Sequence, residues 1–151
     1  MNRKLKVLFK EKGSFVHSVD CDTTIKKAVG ILNKYRIGSL IVLNSDGDIE
    51  GILTERDIMI KLANTDDLVG NLPVRSIMTP KEKLIIGSGE DTLEHLMNIM
   101  TDNKIRHIPI VGKDGILQGL ISIRDIIRFL LRDSRRTAKD LNNFIMGNYP
   151  R

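Results

Sequence analysis

Apolar and polar residues alternate along the chain with two different periods, and the periods come in a fixed order. A short strand is favoured near residues 16–19, and residues 25–32 then follow the i, i+3, i+4, i+7 spacing of an amphipathic helix. Two β-rich stretches, 39–43 and 49–53, are separated by an Asp-Gly turn that is typical of a hairpin. A second helix is expected to begin after Thr54. The first half of the chain therefore predicts a β-α-β-β-α unit.

The second half of the chain repeats this order 68 residues later, without a gap. Of the 35 positions from 24 to 58, nine are identical to their counterparts in 92–126, whereas average composition gives about two by chance. The second copy predicts strands near 84–86, 108–111 and 117–121, and helices that begin after Thr92 and Ser122. One copy of about 45–50 residues is too small to bury a secure core alone. We therefore expect each copy to cover the other, with a small-molecule cleft between them.

The repeat divides the chain into five segments. They are a basic N-terminal segment at 1–13, a first repeat at 14–66, a polar linker leading into the second repeat at 67–81, a second repeat at 82–131 and a helical tail at 132–151. The last helix of the second repeat is predicted to continue into the tail, where Gly147 ends it. One stripe of that helix consists of Leu130, Ser134, Ala138, Leu141 and Ile145. The stripe packs on its own module or, in the interpretation we favour, against a second chain.

Composition excludes several classes of protein. The longest apolar run, 40–43, is four residues, far short of the ~20 that span a membrane. The first residues carry no apolar region of a secretory signal, so we expect a cytoplasmic protein. The single cysteine, Cys21, excludes an internal disulfide framework and a multi-thiolate metal site. Neither a metal-ligand spacing nor a nucleophile–base pair is present, so we predict no metal and no catalysis.

The net charge of +5 is concentrated at the two ends of the chain. Residues 1–12 carry a net +4 and residues 128–151 a further +4, while the body from 13 to 127 carries −3. Basic ends leave a nucleic-acid-binding protein open as an alternative. Aromatic residues make up only 4% of the chain, and the sequence shows no stacking platform for bases. We therefore do not expect nucleic acid as the partner.

Three sequence motifs resemble those of the CBS domain. Gly51-Ile52-Leu53-Thr54-Glu55-Arg56-Asp57 and Gly119-Leu120-Ile121-Ser122-Ile123-Arg124-Asp125 resemble its closing motif, Arg106-His107-Ile108-Pro109 resembles the preceding strand, and Val74-Arg75-Ser76-Ile77-Met78-Thr79 resembles its lead-in. The resemblance covers residues 14–131 and implies a stand-alone tandem pair, called a Bateman module. The implied fold is α/β (α+β), with two pseudo-symmetric β-α-β-β-α repeats packed through their sheets and an extended C-terminal helix. The first copy departs from the pattern, with Gly38-Ser39 where the second has Arg106-His107.

Each closing motif combines groups that can bind an adenosine nucleotide. The Ser or Thr lies at a helix start, where unpaired N–H groups suit an anion. The Asp can accept both hydroxyls of a ribose, and the neighbouring Arg can hold a phosphate. The resemblance implies the same roles, with apolar strands around the adenine. The candidate ligand-binding residues are Ser39, Thr54, Arg56, Asp57, Arg106, His107, Pro109, Ser122, Arg124 and Asp125.

The closing motifs also match a capping box, in which the Asp returns to the N-cap N–H, and the two roles can coexist. His107 has two alternatives as well, a contact to the phosphate or the adenine edge and a structural role. We predict a non-catalytic regulatory homodimer that binds AMP, ADP or ATP, with NAD and S-adenosylmethionine as further candidates. An unidentified partner protein would sense the bound state. The rival interpretations are a nucleic-acid-binding protein and a structural dimer whose clefts are vestigial.

Overall fold

The computed structural model describes residues 5–146. In chain order the elements are α1 (Leu5–Lys12), β1 (Ser18–Asp20), α2 (Ile25–Tyr35), β2 (Ser39–Leu43), β3 (Ile49–Thr54), α3 (Glu55–Ala63), β4 (Thr79–Pro80), α4 (Leu93–Asp102), β5 (His107–Val111), β6 (Leu117–Ser122) and α5 (Ile123–Ile145). Single 3-10 turns lie at Val69–Asn71, Val74–Ser76 and Lys81–Lys83. The predicted α+β class and the extended C-terminal helix are confirmed. The predicted stop at Gly147 lies outside the described residues.

Backbone contacts group the chain into two compact units. We call the one made from 1–13, 89–108 and 121–151 the helical unit, and the one made from 14–88 and 109–120 the sheet unit. The helical unit therefore combines α1 with α4 and α5, although α1 precedes the first repeat in sequence.

The sheet unit contains a four-stranded sheet in the order β1-β2-β3-β4. Strands β1 and β2 are parallel, and the intervening helix α2 provides the crossover that a parallel pair needs, while β2, β3 and β4 run antiparallel. The turn between β2 and β3 places Gly47 at φ 85°, a left-handed conformation that glycine adopts without strain. Strand β4 was not predicted, since it contributes only Thr79 and Pro80.

The two faces of this sheet bury different apolar sets, because side chains alternate along a strand. One face packs on α2, and its core consists of Val19, Ile25, Ala28, Leu32, Leu40, Val42, Leu53, Ile58, Val69 and Val74. The other face presents Ile41, Ile49 and Ile52, which pack against partly buried Val111 and Leu117. Strand β2 is thus buried on both faces, which explains its continuous apolar sequence.

In the helical unit, α1 and α4 both contact α5. Helix α1 buries Leu5 and Leu8 completely or nearly so, and the Leu5 N–H donates to the Asp91 carbonyl at 3.1 Å. The apolar faces of α4 and α5 add further buried residues to this unit, namely Leu93, Leu96, Met100, Ile126 and Phe129. From the sequence we expected only a basic segment at 1–13. In the structure, Leu5 and Leu8 of this segment are buried, and α1 is a packed helix.

The strand predicted near 84–86 does not form. Its place beside β5 is taken by Gly87 alone, whose N–H donates to the Pro109 carbonyl at 2.9 Å and whose carbonyl accepts from the Val111 N–H at 2.9 Å. Glycines at 87 and 89 favour an irregular backbone, which limits the pairing to one bridge. Strands β5 and β6 form a two-stranded sheet. Within residues 5–146, no helix has the length and apolar character needed to span a bilayer.

Candidate functional site

Both closing motifs lie where a strand passes directly into a helix, and both form capping boxes. At the start of α3, the Asp57 N–H donates to Thr54 Oγ1 at 3.2 Å, and the Thr54 N–H donates to Asp57 Oδ2 at 2.8 Å. At the start of α5, the same pair of bonds joins Ser122 and Asp125, at 3.2 Å and 2.9 Å. The capping alternative is therefore confirmed in both repeats, and each carboxylate is held in a fixed orientation.

The hydroxyl of each cap also donates to its own carboxylate. Thr54 Oγ1 donates to Asp57 Oδ2 at 2.9 Å, and Ser122 Oγ donates to Asp125 Oδ2 at 2.7 Å. Every hydrogen bond that the two carboxylates accept inside their motifs therefore uses Oδ2. Within residues 5–146, neither Oδ1 accepts a hydrogen bond. Capping and ligand binding are thus compatible, because one oxygen serves the helix and the other can accept a ribose hydroxyl.

The two carboxylates differ in their electrostatic surroundings. Burial raises the pKa of Asp57, and hydrogen bonds from the Thr54 backbone and hydroxyl offset only part of that effect. Burial acts on Asp125 in the same sense, but hydrogen bonds from Lys12 and Ser122 outweigh it and hold the pKa of Asp125 below its usual value. Lys12 Nζ lies 2.6 Å from Asp125 Oδ2. Among the residues that the structure describes, the second motif thus carries an ion pair that the first lacks.

His107, the first residue of β5, is half-buried beside the second motif. Burial lowers the pKa of His107 from 6.5 to about 4, with further lowering by Arg106, Lys12 and Arg124 and a partly opposing effect of Asp125. The imidazole is therefore neutral at pH 7. It can donate and accept hydrogen bonds, as an adenine edge requires, but it supplies no positive charge to a phosphate.

The other predicted residues lie near the motifs in two groups. Arg56 and Arg124 are exposed in the first turns of α3 and α5. Arg106 is exposed, and its carbonyl accepts from the Ile123 N–H at 3.0 Å, which places the start of β5 next to the second motif. One end of the β5–β6 hairpin thus brings together five of the predicted residues, namely Arg106, His107, Ser122, Arg124 and Asp125.

Two predicted residues are buried within strands. Ser39 is 4% exposed and pairs with Thr54 across the β2–β3 hairpin. Pro109 is buried in the middle of β5, where its carbonyl holds the Gly87 bridge. Ser39 thus lies at the start of β2 and Pro109 at the centre of β5, and direct contact with a ligand stays a prediction for both.

A shallow pocket of about 200 Å³ lies beside Asp57 in the sheet unit. Its lining consists of Asp57, Ile60, Lys61, Asn64, Ser76 and Ile77. Complete small-molecule pockets have volumes of roughly 300–1,000 Å³, so this one accommodates part of a nucleotide. Among residues 5–146, no cluster of His, Cys, Asp and Glu could hold a metal ion.

Sequence reasoning missed Lys12 as a site residue. It is the last residue of α1 and is 113 positions away from Asp125 along the chain. The only signal for it was the net positive charge of residues 1–12. A contact across such a separation depends on tertiary packing, which periodicity does not reveal.

The structure also groups three aromatic rings in the sheet unit that the sequence did not reveal as a cluster. The His17 ring lies 4.8 Å from Phe15 and 4.2 Å from Tyr35, measured between centroids. Lys34 Nζ lies 5.2 Å from the Tyr35 ring. Phe15 is 78% exposed. Rings with a cation nearby could stack on a base, so this cluster is where the nucleic-acid alternative would be tested.

A family model for the CBS domain matches residues 14–64 and 74–132. The chain belongs to the CBS-domain family. Each matched range contains one β-hairpin and the capping box that follows it. The duplication found by sequence comparison is therefore a pair of CBS repeats.

Similar proteins include both curated sequences and solved structures. The mitochondrial CBS domain-containing protein CBSX3 of Arabidopsis thaliana is 34% identical over 130 residues, which are 85% of this chain and 63% of that protein. A CBS-domain containing protein from Agrobacterium tumefaciens has a similar structure, with a TM-score of 0.79, 34% identity and coverage of 85% of this chain and 93% of that one. A CBS domain protein from Pyrobaculum aerophilum, solved in complex with AMP, has a TM-score of 0.69 and 27% identity, and the match covers 82% and 89% of the two chains.

Proposed function

We propose that this CBS pair is a non-catalytic regulatory module that binds adenosine nucleotides at its two closing motifs. The observation that carries the proposal is the pair of capped carboxylates, Asp57 and Asp125, each with Oδ1 left to accept and each next to an arginine. The AMP complex of the Pyrobaculum aerophilum relative supports the ligand class.

In this proposal the motif residues divide the ligand between them. Asp57 and Asp125 accept ribose hydroxyls, while Arg56, Arg124 and Arg106 hold phosphate. Neutral His107 hydrogen bonds to the adenine edge, and the strands that carry Ser39 and Pro109 enclose the base. Candidate ligands are AMP, ADP and ATP, followed by NAD and S-adenosylmethionine. A ligand regulates the protein only to the extent that it binds one conformation more tightly than another.

Calorimetric titration of nucleotide-free protein with AMP, ADP and ATP tests this proposal. We expect binding that raises the midpoint of thermal unfolding as the sites fill. Asp57→Ala and Asp125→Ala should each weaken binding by about tenfold or more, since each removes a charged hydrogen-bond acceptor. We expect the larger loss from Asp125→Ala, because the second repeat keeps Arg106 and His107.

Two further variants separate ligand binding from capping. Asp125→Asn keeps one oxygen for the cap and should still weaken binding, whereas Asp46→Ala, in the exposed β2–β3 turn, should leave it unchanged. The absence of binding at millimolar ligand would overturn the proposal. Binding that falls steeply with salt, survives both Asp variants and is lost in Tyr35→Ala would instead favour a nucleic-acid partner. A location in the cytoplasm is also part of this proposal.

We further propose that two copies pair through the second half of α5. Of the predicted stripe, Leu141 is 59% and Ile145 72% exposed, and Phe144 beside them is 70% exposed. Side chains of this size gain about 1.5–3 kcal/mol each when they are buried, which favours pairing. Sedimentation analysis should show a dimer that Leu141→Lys converts into a folded monomer. A monomeric wild-type protein would contradict this arrangement.

A further inference from the structure

The two closing motifs form the same capping-box hydrogen bonds, but in the described part of the chain only the second has a lysine in contact with its carboxylate. Lys12 Nζ lies 2.6 Å from Asp125 Oδ2, and the two side chains are only 33% and 20% exposed. Within residues 5–146, no lysine or arginine forms an ion pair with Asp57. Partial burial limits screening by water and salt, so the Lys12 charge acts strongly on its surroundings.

The position of Lys12 is fixed by the packing of α1. Leu5 and Leu8 anchor the helix in the core of the helical unit, and Lys6 forms an ion pair with Glu90. Gly13, at φ 82°, ends the helix directly after Lys12, and its N–H donates to the Phe9 carbonyl at 2.9 Å. The ammonium group is therefore presented to Asp125 by a folded element, which makes it part of the second motif.

The cations around the second motif act at one place. Three cations lower the pKa of His107, namely Lys12, Arg106 and Arg124. The imidazole therefore lies in the positive electrostatic potential of all three side chains. At the positions of Arg106 and His107, the first repeat has Gly38 and Ser39, which carry no charge. Beyond the arginine that both closing motifs share, the second motif therefore has Lys12 and Arg106 close to it, whereas the cation of the first is Lys61 in the pocket lining beside Asp57.

We propose that Lys12 makes the second-repeat site more selective than the first-repeat site for adenosine ligands that carry a phosphate, because it adds a cation to the arginine that each closing motif supplies. The inference rests on the proposed function. In this proposal a ribose hydroxyl takes Oδ1 of Asp125, and Lys12, held on Oδ2, contacts the phosphate on the same sugar. Uncharged adenosine has no phosphate for the Lys12 ammonium to contact, so the ammonium does not increase its affinity. Its ribose hydroxyls donate to the carboxylate alone.

Calorimetry with AMP and with adenosine tests the selectivity, using Asp57→Asn protein so that only the second site is intact. Lys12→Met keeps the aliphatic stem and removes the charge. We expect it to weaken AMP binding about tenfold and to leave adenosine binding equal or slightly stronger, so that the AMP-to-adenosine affinity ratio falls about tenfold. Lys12→Arg should keep most of the ratio, and Lys10→Met, exposed on the same helix, should not change it.

The outcomes separate this inference from the proposed function. If AMP and adenosine both fail to bind the wild-type protein, the proposed function fails. If AMP binds and Asp125→Asn weakens it, but Lys12→Met leaves the affinity ratio unchanged, the function stands and the selectivity is refuted. Equal weakening of both ligands by Lys12→Met would show a structural role for the ion pair and would also refute the selectivity. Thermal unfolding of each variant identifies any loss of fold.

Discussion

The half-buried imidazole of His107 makes the protein sensitive to mild acid. Because its pKa is about 4 in the folded protein and 6.5 ordinarily, the unfolded chain binds the proton more readily between those pH values. The stability due to the neutral imidazole is complete above pH 6.5 and is lost as the pH falls toward 4. Linkage puts the loss at about 2 kcal/mol at pH 5 and about 3 kcal/mol at pH 4, relative to pH 7.5.

The substitution His107→Gln removes this titration while keeping a group that can donate and accept hydrogen bonds. Urea unfolding at pH 7.5, 6.0 and 5.0, followed by circular dichroism, gives the free energy of unfolding of both proteins. Wild-type protein should lose about 2 kcal/mol more than His107→Gln between pH 7.5 and 5.0. His95→Gln, on the exposed face of α4, controls for the removal of an imidazole as such.

The titration of Asp57 and Asp125 does not interfere with the comparison of wild type and His107→Gln between pH 7.5 and 5.0. The lowered pKa of Asp125 affects stability only at more acidic pH, since its stabilising contribution is lost below its ordinary pKa of 3.8. The raised pKa of Asp57 acts in the opposite direction to His107, because protonation then favours the folded state. Both effects occur in wild type and variant alike. Equal pH dependence of the two proteins would refute the assignment of a neutral, desolvated His107.

Three substitutions elsewhere test the packing and the caps by the same urea assay. Gly51→Ala should destabilise by about 2 kcal/mol, because its Cβ would collide with the Thr79 carbonyl of β4; wild-type stability would contradict the β3–β4 pairing. Gly30→Ala should stabilise by about 1 kcal/mol, because it lies inside α2 with nothing within 4 Å of the methyl group that the substitution adds; a loss would show a hidden contact. Thr92→Ala should cost about 1 kcal/mol, because Thr92 Oγ1 accepts the His95 N–H at 3.1 Å; no change would argue against the cap.

The parts of the fold that depend on local sequence could be predicted. Strand β2 has the predicted bounds, and Thr54 and Ser122 cap the predicted helices, because turn residues, caps and apolar spacing act over a few positions. The same locality explains the errors. Strand β4 and the Gly87 bridge depend on which distant strand they meet, and neither is long enough to leave a periodic pattern.

The candidate site could be predicted only in its repeated part. Thr54, Asp57, Ser122 and Asp125 were identified because the motif occurs twice in register. Lys12 has no counterpart in the first repeat and reaches its partner only after α1 packs in the helical unit. The neutral state of His107 likewise follows from burial and neighbouring cations, which no residue pattern encodes.

The discontinuous helical unit has a consequence for how the chain folds during synthesis. Helix α1 is made before its partners, since the Leu5 N–H donates to the Asp91 carbonyl and the helix packs on α5. At ribosomal rates of about 5–20 residues per second, α1 waits several seconds for these partners. An isolated helix of eight residues is unstable in water. Helix α1 therefore leaves the ribosome before Leu5 and Leu8 can be buried, which makes it an early contact for chaperones.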